Sequence, residues 1–128
     1  MPGDRQFADD QIRSLVERDA VIGVAFDAWM LYPGWVPEKT SNTVVSLEAV
    51  VDHIDRICQI AGNAGHAAIG SDLDGGYGTE QCPRDMDTIV DVQRIPGLMR
   101  RRGYNETDIE AIMGDNWMRF FERAWTQV

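Results

Sequence analysis

The sequence predicts an α/β fold built around a parallel sheet. Two short apolar runs carry this prediction, "AVIGVAF" at 20–26 and "AAIGSD" at 67–72. Neither run alternates between apolar and polar residues, which is typical of parallel strands that are covered on both faces. An amphipathic segment separates the two runs, so we predict a strand–helix–strand unit over 20–72 with a right-handed crossover.

Helices are predicted from the spacing of apolar residues. One helix covers 9–18, where aspartates can cap its first turn. The clearest helix follows Ser46, carries one apolar stripe from Leu47 to Ala61 and ends at Gly62. The segment 27–45 is predicted to be a long loop, and loops of that length inside compact domains are usually functional.

The last part of the chain is predicted to be helical. One helix begins near Asp85, and a second has Pro96 at its first position. Asn105 caps a third helix, which Gly114 ends. One face of a final helix is lined by Trp117, Phe120, Phe121, Ala124 and Trp125.

The predicted strands are too few to complete a sheet. Two parallel strands leave an open edge on either side and cannot bury both faces. The 128 residues are therefore expected to form a single segment, 1–128, of a larger α/β protein, or to self-associate.

Composition excludes several classes of partner. The net charge is −9, with 21 acidic and 12 basic residues, so neither nucleic acid nor an anionic membrane is an expected partner. No segment approaches the roughly 20 apolar residues of a membrane span, and no signal peptide is visible. Cys58 and Cys82 fit no metal or redox spacing, so we expect free thiols and a cytoplasmic location.

The segment "SDLDGG" at 71–76 is the main candidate site. Asp72 and Asp74 follow the second apolar run and precede two glycines. Asp and Gly after a strand can simply form a turn. Active sites of parallel α/β folds lie at the carboxyl ends of the strands, however, and carboxylates there suit a metal ion.

The same letters fit a phosphatase of the haloacid dehalogenase type. In that class Asp72 would be the nucleophile and Asp74 the general acid. The distant partners of that site are not visible, because no later strand carries a further acidic pair for magnesium. The phosphatase is therefore the less favoured alternative.

Residues after the first strand are predicted to face the same rim. Asp27 follows that strand directly, and Trp29 begins an aromatic-rich stretch. We expect both to line a substrate pocket, together with Tyr77 of the glycine-rich loop. The alternative is a loop that packs only on itself.

Four separated blocks resemble the membrane (renal) dipeptidase family of zinc peptidases. They are "GDRQFADDQIRSLVERDAVIGVAF", "VVDHIDRICQIAG", "HAAIGSDLDGG" and "IPGLMRRRGYNETDIEAIMGDNWMRFFERAW". The blocks occur in the family's order and cover essentially the whole chain, and "GSDLDGGYGTEQ" is most similar to a bacterial branch. The resemblance implies the carboxyl-terminal portion of a TIM (β/α)₈ barrel, with the last two βα units and the helices that follow.

The resemblance also assigns roles to residues. Family members bind two zinc ions and hydrolyse dipeptides through metal-bound hydroxide. Asp72 aligns with the last zinc ligand and is expected to be catalytic, with Asp74 supporting it or shaping the turn. Arg5 aligns with an arginine that binds the substrate carboxylate, for which a guanidinium fork is well suited.

The other zinc ligands of the family would lie before Met1. The resemblance places its His-x-Asp pair, its bridging Glu and both later His residues there. At most weak zinc binding and no activity are therefore expected from this chain alone. A non-catalytic α/β fragment or assembly module remains the alternative from another functional class.

Overall fold

A computed structural model describes residues 5–126, in which two parallel strands pack against helices. Strand β1 spans Ile22–Ala25 and strand β2 spans Ala67–Ser71. The register shifts near the end of the pair, where Ala25 pairs with Ser71 and Gly70 is passed over. The predicted parallel pairing is confirmed.

The described residues also form six α-helices. They are α1 (Asp9–Glu17), α2 (Ala28–Leu31), α3 (Leu47–Ala61), α4 (Ile95–Arg101), α5 (Glu106–Glu110) and α6 (Asn116–Thr126). Short 3₁₀ helices occupy Asn42–Val44, Thr79–Gln81 and Ile89–Arg94, and a π-helical turn occupies Ala111–Asp115. Within residues 5–126, no helix combines the length and the apolar composition needed to cross a bilayer.

Helix α3 forms the centre of the core, as its apolar stripe predicts. Val50, Val51 and Ile54 are completely buried and belong to one apolar cluster with Val24 of β1. The helix ends at Gly62, whose φ of +75° is the left-handed conformation that glycine adopts without a steric penalty. The prediction for this helix is confirmed at both ends.

Two predictions for the connecting segments are wrong. The predicted loop 27–45 contains the short helix α2 and a 3₁₀ turn, because Asp27 and Ser41 accept hydrogen bonds from backbone N–H groups that follow them. No α-helix begins near Asp85. The Asp85 carboxylate instead accepts a hydrogen bond of 2.8 Å from the N–H of Leu47 and thereby caps α3.

Gly114 does not end a helix, contrary to prediction. It lies inside the π-helical turn that joins α5 to α6 without a break. The turn brings the Asn116 side chain into the interior, where its Nδ2 donates to the carbonyl oxygens of Ala64 (2.7 Å) and Ala67 (2.9 Å). These bonds to the start of β2 hold the chain in a helical path past the glycine.

The sequence predicts strands that are covered on both faces, but one face is only partly covered. Val24 and Ala67 are buried in the helical layer, but Gly23 and Gly70 remain exposed on the other face. These glycines permit close approach, because a Cβ on Gly23 would lie 2.9 Å from the Cα of Gly70. The exposed glycines thus distinguish this pair of strands from a sheet that is covered on both faces.

Candidate active site at the carboxyl ends of the strands

The two strands end side by side. The N–H of Phe26 donates a hydrogen bond of 2.8 Å to the carbonyl oxygen of Ser71, just beyond the last paired residues. Asp27 and Asp72 are the next residues of the two segments. The two predicted acidic positions therefore lie at the same edge of the sheet, as parallel strands require.

Asp72 lies in a tight turn that points its carboxylate to solvent. Ser71 and Asp72 both adopt the left-handed region, with φ of +48° and +64°. The carbonyl oxygen of Asp72 accepts a hydrogen bond of 3.1 Å from the N–H of Gly75. A Cβ on Gly75 would collide with Oδ1 of Asp72, so a larger residue there would displace the Asp72 carboxylate from its present position. Asp74 is also exposed.

Asp27 is buried and firmly held. Its side chain is only 4% exposed, and Oδ1 accepts hydrogen bonds from the N–H of Trp29 (2.9 Å) and from Nε2 of Gln81 (2.8 Å). The first bond caps α2, and the second ties the loop after β1 to the loop after β2. Sequence reasoning missed Gln81, since no periodicity or motif marks a residue that acts across two loops.

Tyr77 lies near Asp27 and Asp72 at this end of the strands. Its hydroxyl oxygen is buried and has no hydrogen-bond partner within the described residues. Burial raises the pKa of the Tyr77 phenol, and the negative charges of Asp27 and Asp72 raise it further. The hydroxyl therefore stays protonated and can donate one hydrogen bond to a ligand.

Arg5 and Trp29 form a second part of the rim. The guanidinium carbon of Arg5 lies 5.7 Å from the centroid of the Trp29 ring, which is a cation–π distance. Nε2 of Gln6 donates a hydrogen bond of 2.9 Å to the carbonyl oxygen of Met30, so the segment that carries Arg5 is fixed to α2. The structure thus brings two of the predicted substrate-binding residues, Arg5 and Trp29, together beside α2.

The described residues do not form a complete metal site. Within 5–126, no group of three or more His, Cys, Asp or Glu side chains is placed to hold a metal ion. His66 is occupied at the opposite end of β2, where its Nδ1 lies 2.9 Å from the carbonyl oxygen of Ala20. Zinc needs three or four protein ligands, so Asp72 fits as one ligand and is insufficient by itself.

Comparison with known proteins points to one family. The family model for membrane dipeptidase, peptidase family M19, matches residues 1–127. An uncharacterized protein from the pqqA 5′ region of Klebsiella pneumoniae is 29% identical over 127 residues, which are 98% of this chain and 43% of that protein. An uncharacterized dipeptidase of Schizosaccharomyces pombe is 28% identical over 121 residues, which are 92% of this chain and 26% of that protein.

Solved structures agree with these matches. A metallo peptidase from Rhodobacter sphaeroides, liganded with a phosphinate mimic of the dipeptide L-Ala-D-Ala, superposes with a TM-score of 0.78 and 25% identity over 94% of this chain and 32% of that chain. The dipeptidase AC, a metallo peptidase of family M19, gives the same values. The predicted carboxyl-terminal portion of a TIM (β/α)₈ barrel is confirmed. The chain spans 43% or less of the length of the proteins compared.

Proposed function

Because the chain belongs to the membrane dipeptidase family, we propose that it forms the carboxyl-terminal part of the active site of a zinc-dependent dipeptidase. One observation carries the proposal. Asp27, Asp72 and Tyr77 converge at the carboxyl ends of two parallel strands, and (β/α)₈ barrels hold their active sites there. None of the matched proteins supports the phosphatase alternative.

Asp72 is the residue of this chain suited to bind zinc. Its carboxylate is exposed at the strand end, and carboxylate oxygen is a zinc ligand. Asp27 is less suited, because two hydrogen bonds already occupy one of its oxygens. Bound zinc would supply Lewis acidity and hydroxide at neutral pH. Asp74, two residues beyond Asp72, supports that ligand or shapes its turn.

The ends of a dipeptide fit the remaining residues. Arg5 offers a guanidinium fork to the free carboxylate, and the ring of Trp29 restricts its orientation. Asp27 places negative charge at the same end of the strands as Asp72, which suits a free amino group. The Tyr77 hydroxyl can donate a hydrogen bond to the substrate. The ligand in the Rhodobacter sphaeroides structure supports a dipeptide as the substrate class.

Exchange of two aspartates tests the proposal. Residues 5–126 replace the matching segment of the Rhodobacter sphaeroides peptidase, and Asp72→Asn is compared with Asp74→Asn. Asn keeps the shape and removes the charge, so Asp72→Asn should lose bound metal and nearly all turnover. Asp74→Asn should cost about 10–100-fold, as is typical of a residue that supports a metal ligand.

Elemental analysis and dipeptide hydrolysis are the two measurements. Full metal content with unimpaired hydrolysis in the Asp72→Asn protein would show that the wrong carboxylate has been assigned. Hydrolysis of phosphoesters that both variants abolish would instead indicate the phosphatase. The unmodified exchange protein is the control for folding.

A non-catalytic fragment or assembly module is the second candidate. It is supported by one observation: within 5–126 no group of three or more His, Cys, Asp or Glu side chains is placed to hold a metal ion. In either case we propose a partner, which is another copy or the amino-terminal portion of a barrel. Cys58 and Cys82 are buried free thiols, which supports a reducing, cytoplasmic location.

A further inference from the structure

Strand β2 contains one residue more than the stretch of β1 with which it pairs. Val24 pairs with Ile69 and Ala25 pairs with Ser71, so Gly70 has no counterpart in β1. Such an extra residue is a β-bulge, which is rare between parallel strands and is often found beside active sites, where it changes the direction of a side chain. This bulge lies two residues before the candidate zinc ligand.

Gly70 leaves room for the bulge. A Cβ on Gly70 would lie 2.8 Å from the carbonyl carbon of Gly23 and 3.0 Å from its oxygen, and these backbone atoms cannot rotate away as a side chain can. Gly70 is not one of the glycines with a positive φ, so the small size of glycine is what matters at this position. The residue before the bulge is held as well, because Nε1 of Trp117 donates a hydrogen bond of 3.0 Å to the carbonyl oxygen of Ile69.

The two residues after the bulge have an unusual backbone conformation. Ser71 and Asp72 lie consecutively in the left-handed region, which residues with a Cβ normally enter only singly. Within 5–126, the other two non-glycine residues with a positive φ, Asp19 and Glu38, are isolated in the sequence. Strain of this kind persists only where surrounding contacts determine the conformation, and it clusters at active sites.

Backbone hydrogen bonds supply those contacts. The carbonyl oxygen of Ser71 accepts a bond of 2.8 Å from the N–H of Phe26, and that of Asp72 accepts one of 3.1 Å from the N–H of Gly75. Both bonds join backbone atoms, so they depend on the φ of Ser71 and not on its hydroxyl. The direction of the Asp72 carboxylate therefore follows from the backbone at Gly70 and Ser71.

We propose that Gly70 and Ser71 are positioning residues, which fix the direction of the Asp72 carboxylate before a metal binds. This inference rests on the proposed function, in which Asp72 is a zinc ligand. A ligand that is held in advance loses less conformational freedom on binding, and the affinity is higher for that reason. Residues at position 71 that tolerate a positive φ should therefore preserve zinc binding, and residues that do not should weaken it.

Two variants separate the backbone of Ser71 from its hydroxyl. Ser71→Thr keeps the hydroxyl, but a β-branched side chain disfavours a positive φ. Ser71→Asn removes the hydroxyl and tolerates that φ. In the exchange protein, Ser71→Thr should raise the Kd for zinc about 10–100-fold, the range for residues that support a metal ligand. Ser71→Asn should leave that Kd close to the value of the unmodified exchange protein. Competition with a chromogenic chelator measures the Kd, and circular dichroism verifies that both variants fold.

The strain itself is tested on the 128-residue chain without metal. Ser71→Gly should raise the urea midpoint of unfolding, because glycine adopts a positive φ without a steric penalty. Glu38→Gly is the matched control, because Glu38 is exposed and has a φ of +64°. It should also raise the midpoint, but it should leave the zinc Kd of the exchange protein unchanged. Amide hydrogen exchange of Phe26 should become faster in Ser71→Thr, because the carbonyl group that accepts its N–H moves.

Three results would overturn the positioning role. They are a folded Ser71→Thr protein that binds zinc as tightly as the unmodified protein, a Ser71→Asn protein that binds it as weakly as Ser71→Thr, and a urea midpoint that Glu38→Gly raises and Ser71→Gly does not. The Asp72→Asn variant separates this inference from the proposed function. If Asp72→Asn keeps its metal, both are wrong. If Asp72→Asn loses its metal and Ser71→Thr does not, only the positioning role is wrong.

Discussion

The side chains at the candidate site are held by contacts with residues that are either close in sequence or far away in sequence. The turn of Asp72 is closed by a hydrogen bond from the N–H of Gly75, three residues away, and is encoded locally in "SDLDGG". The Asp27 carboxylate depends on Gln81, which is 54 positions away. The acidic positions could be predicted because apolar runs reveal where strands end. Gln81 could not, since only the folded chain brings the two loops together.

The bond between Gln81 and Asp27 should contribute measurably to stability. Gln81→Ala leaves a buried carboxylate with one donor fewer, so we expect the free energy of unfolding in urea to fall by about 1.5–3 kcal/mol. Gln59→Ala is the matched control, because Gln59 is exposed and its bond to Asp55 is 3.4 Å long. Equal and small losses for both variants would show that Gln81 does not hold Asp27.

At the scale of elements, the sequence predicts a helix correctly where the residues that end the helix belong to the helix segment itself. Helix α3 has a continuous apolar stripe and a glycine in the left-handed conformation at its end. Glycine alone is an ambiguous signal, as Gly114 shows, because its φ decides whether a helix ends. The sequence predicts an α-helix that begins near Asp85, but the structure has a 3₁₀ helix at Ile89–Arg94. The Asp85 carboxylate accepts a hydrogen bond from α3 and therefore does not cap a helix in its own segment.

Two Gly→Ala changes should have opposite effects. Gly62 has a φ of +75° and open space around it, so Gly62→Ala should cost about 1–2 kcal/mol from backbone strain alone. Gly97 lies within α4 with nothing within 4 Å of an added Cβ. Gly97→Ala should therefore stabilise the chain by about 0.5–1 kcal/mol. Thermal or urea unfolding measures both, and a stabilising Gly62→Ala would mean that α3 continues past its assigned end.

For the whole molecule, the small number of predicted strands was the sequence feature that indicated most about the fold. Two parallel strands predicted an incomplete sheet, and the structure has exposed glycines on one face. The family resemblance then accounted for the missing strands. The covering of β2 by α6 was not predictable, because it depends on where the Asn116 and Trp117 side chains meet a strand about 50 residues earlier.

The chain alone should not hydrolyse dipeptides. One suitable carboxylate does not hold catalytic zinc, so the purified chain with added zinc should give no turnover of L-Ala-D-Ala above background. The Rhodobacter sphaeroides peptidase in the same assay is the positive control. Hydrolysis that a chelator abolishes would contradict the prediction and would imply that ligands from several copies share one site.

The π-helical turn at Ala111–Asp115 determines how helix α6, which follows it, is rotated about the helix axis. Each residue of an α-helix advances the chain by about 100° around the axis, so removal of one residue from this turn would rotate α6 by roughly that angle. The amide of Asn116 and the indole of Trp117 would then leave β2, although every residue of α6 would be unchanged. A one-residue deletion in this turn should therefore expose the carbonyl oxygens of Ala67 and Ile69 in β2. Substitutions on the solvent side of the turn should leave them covered.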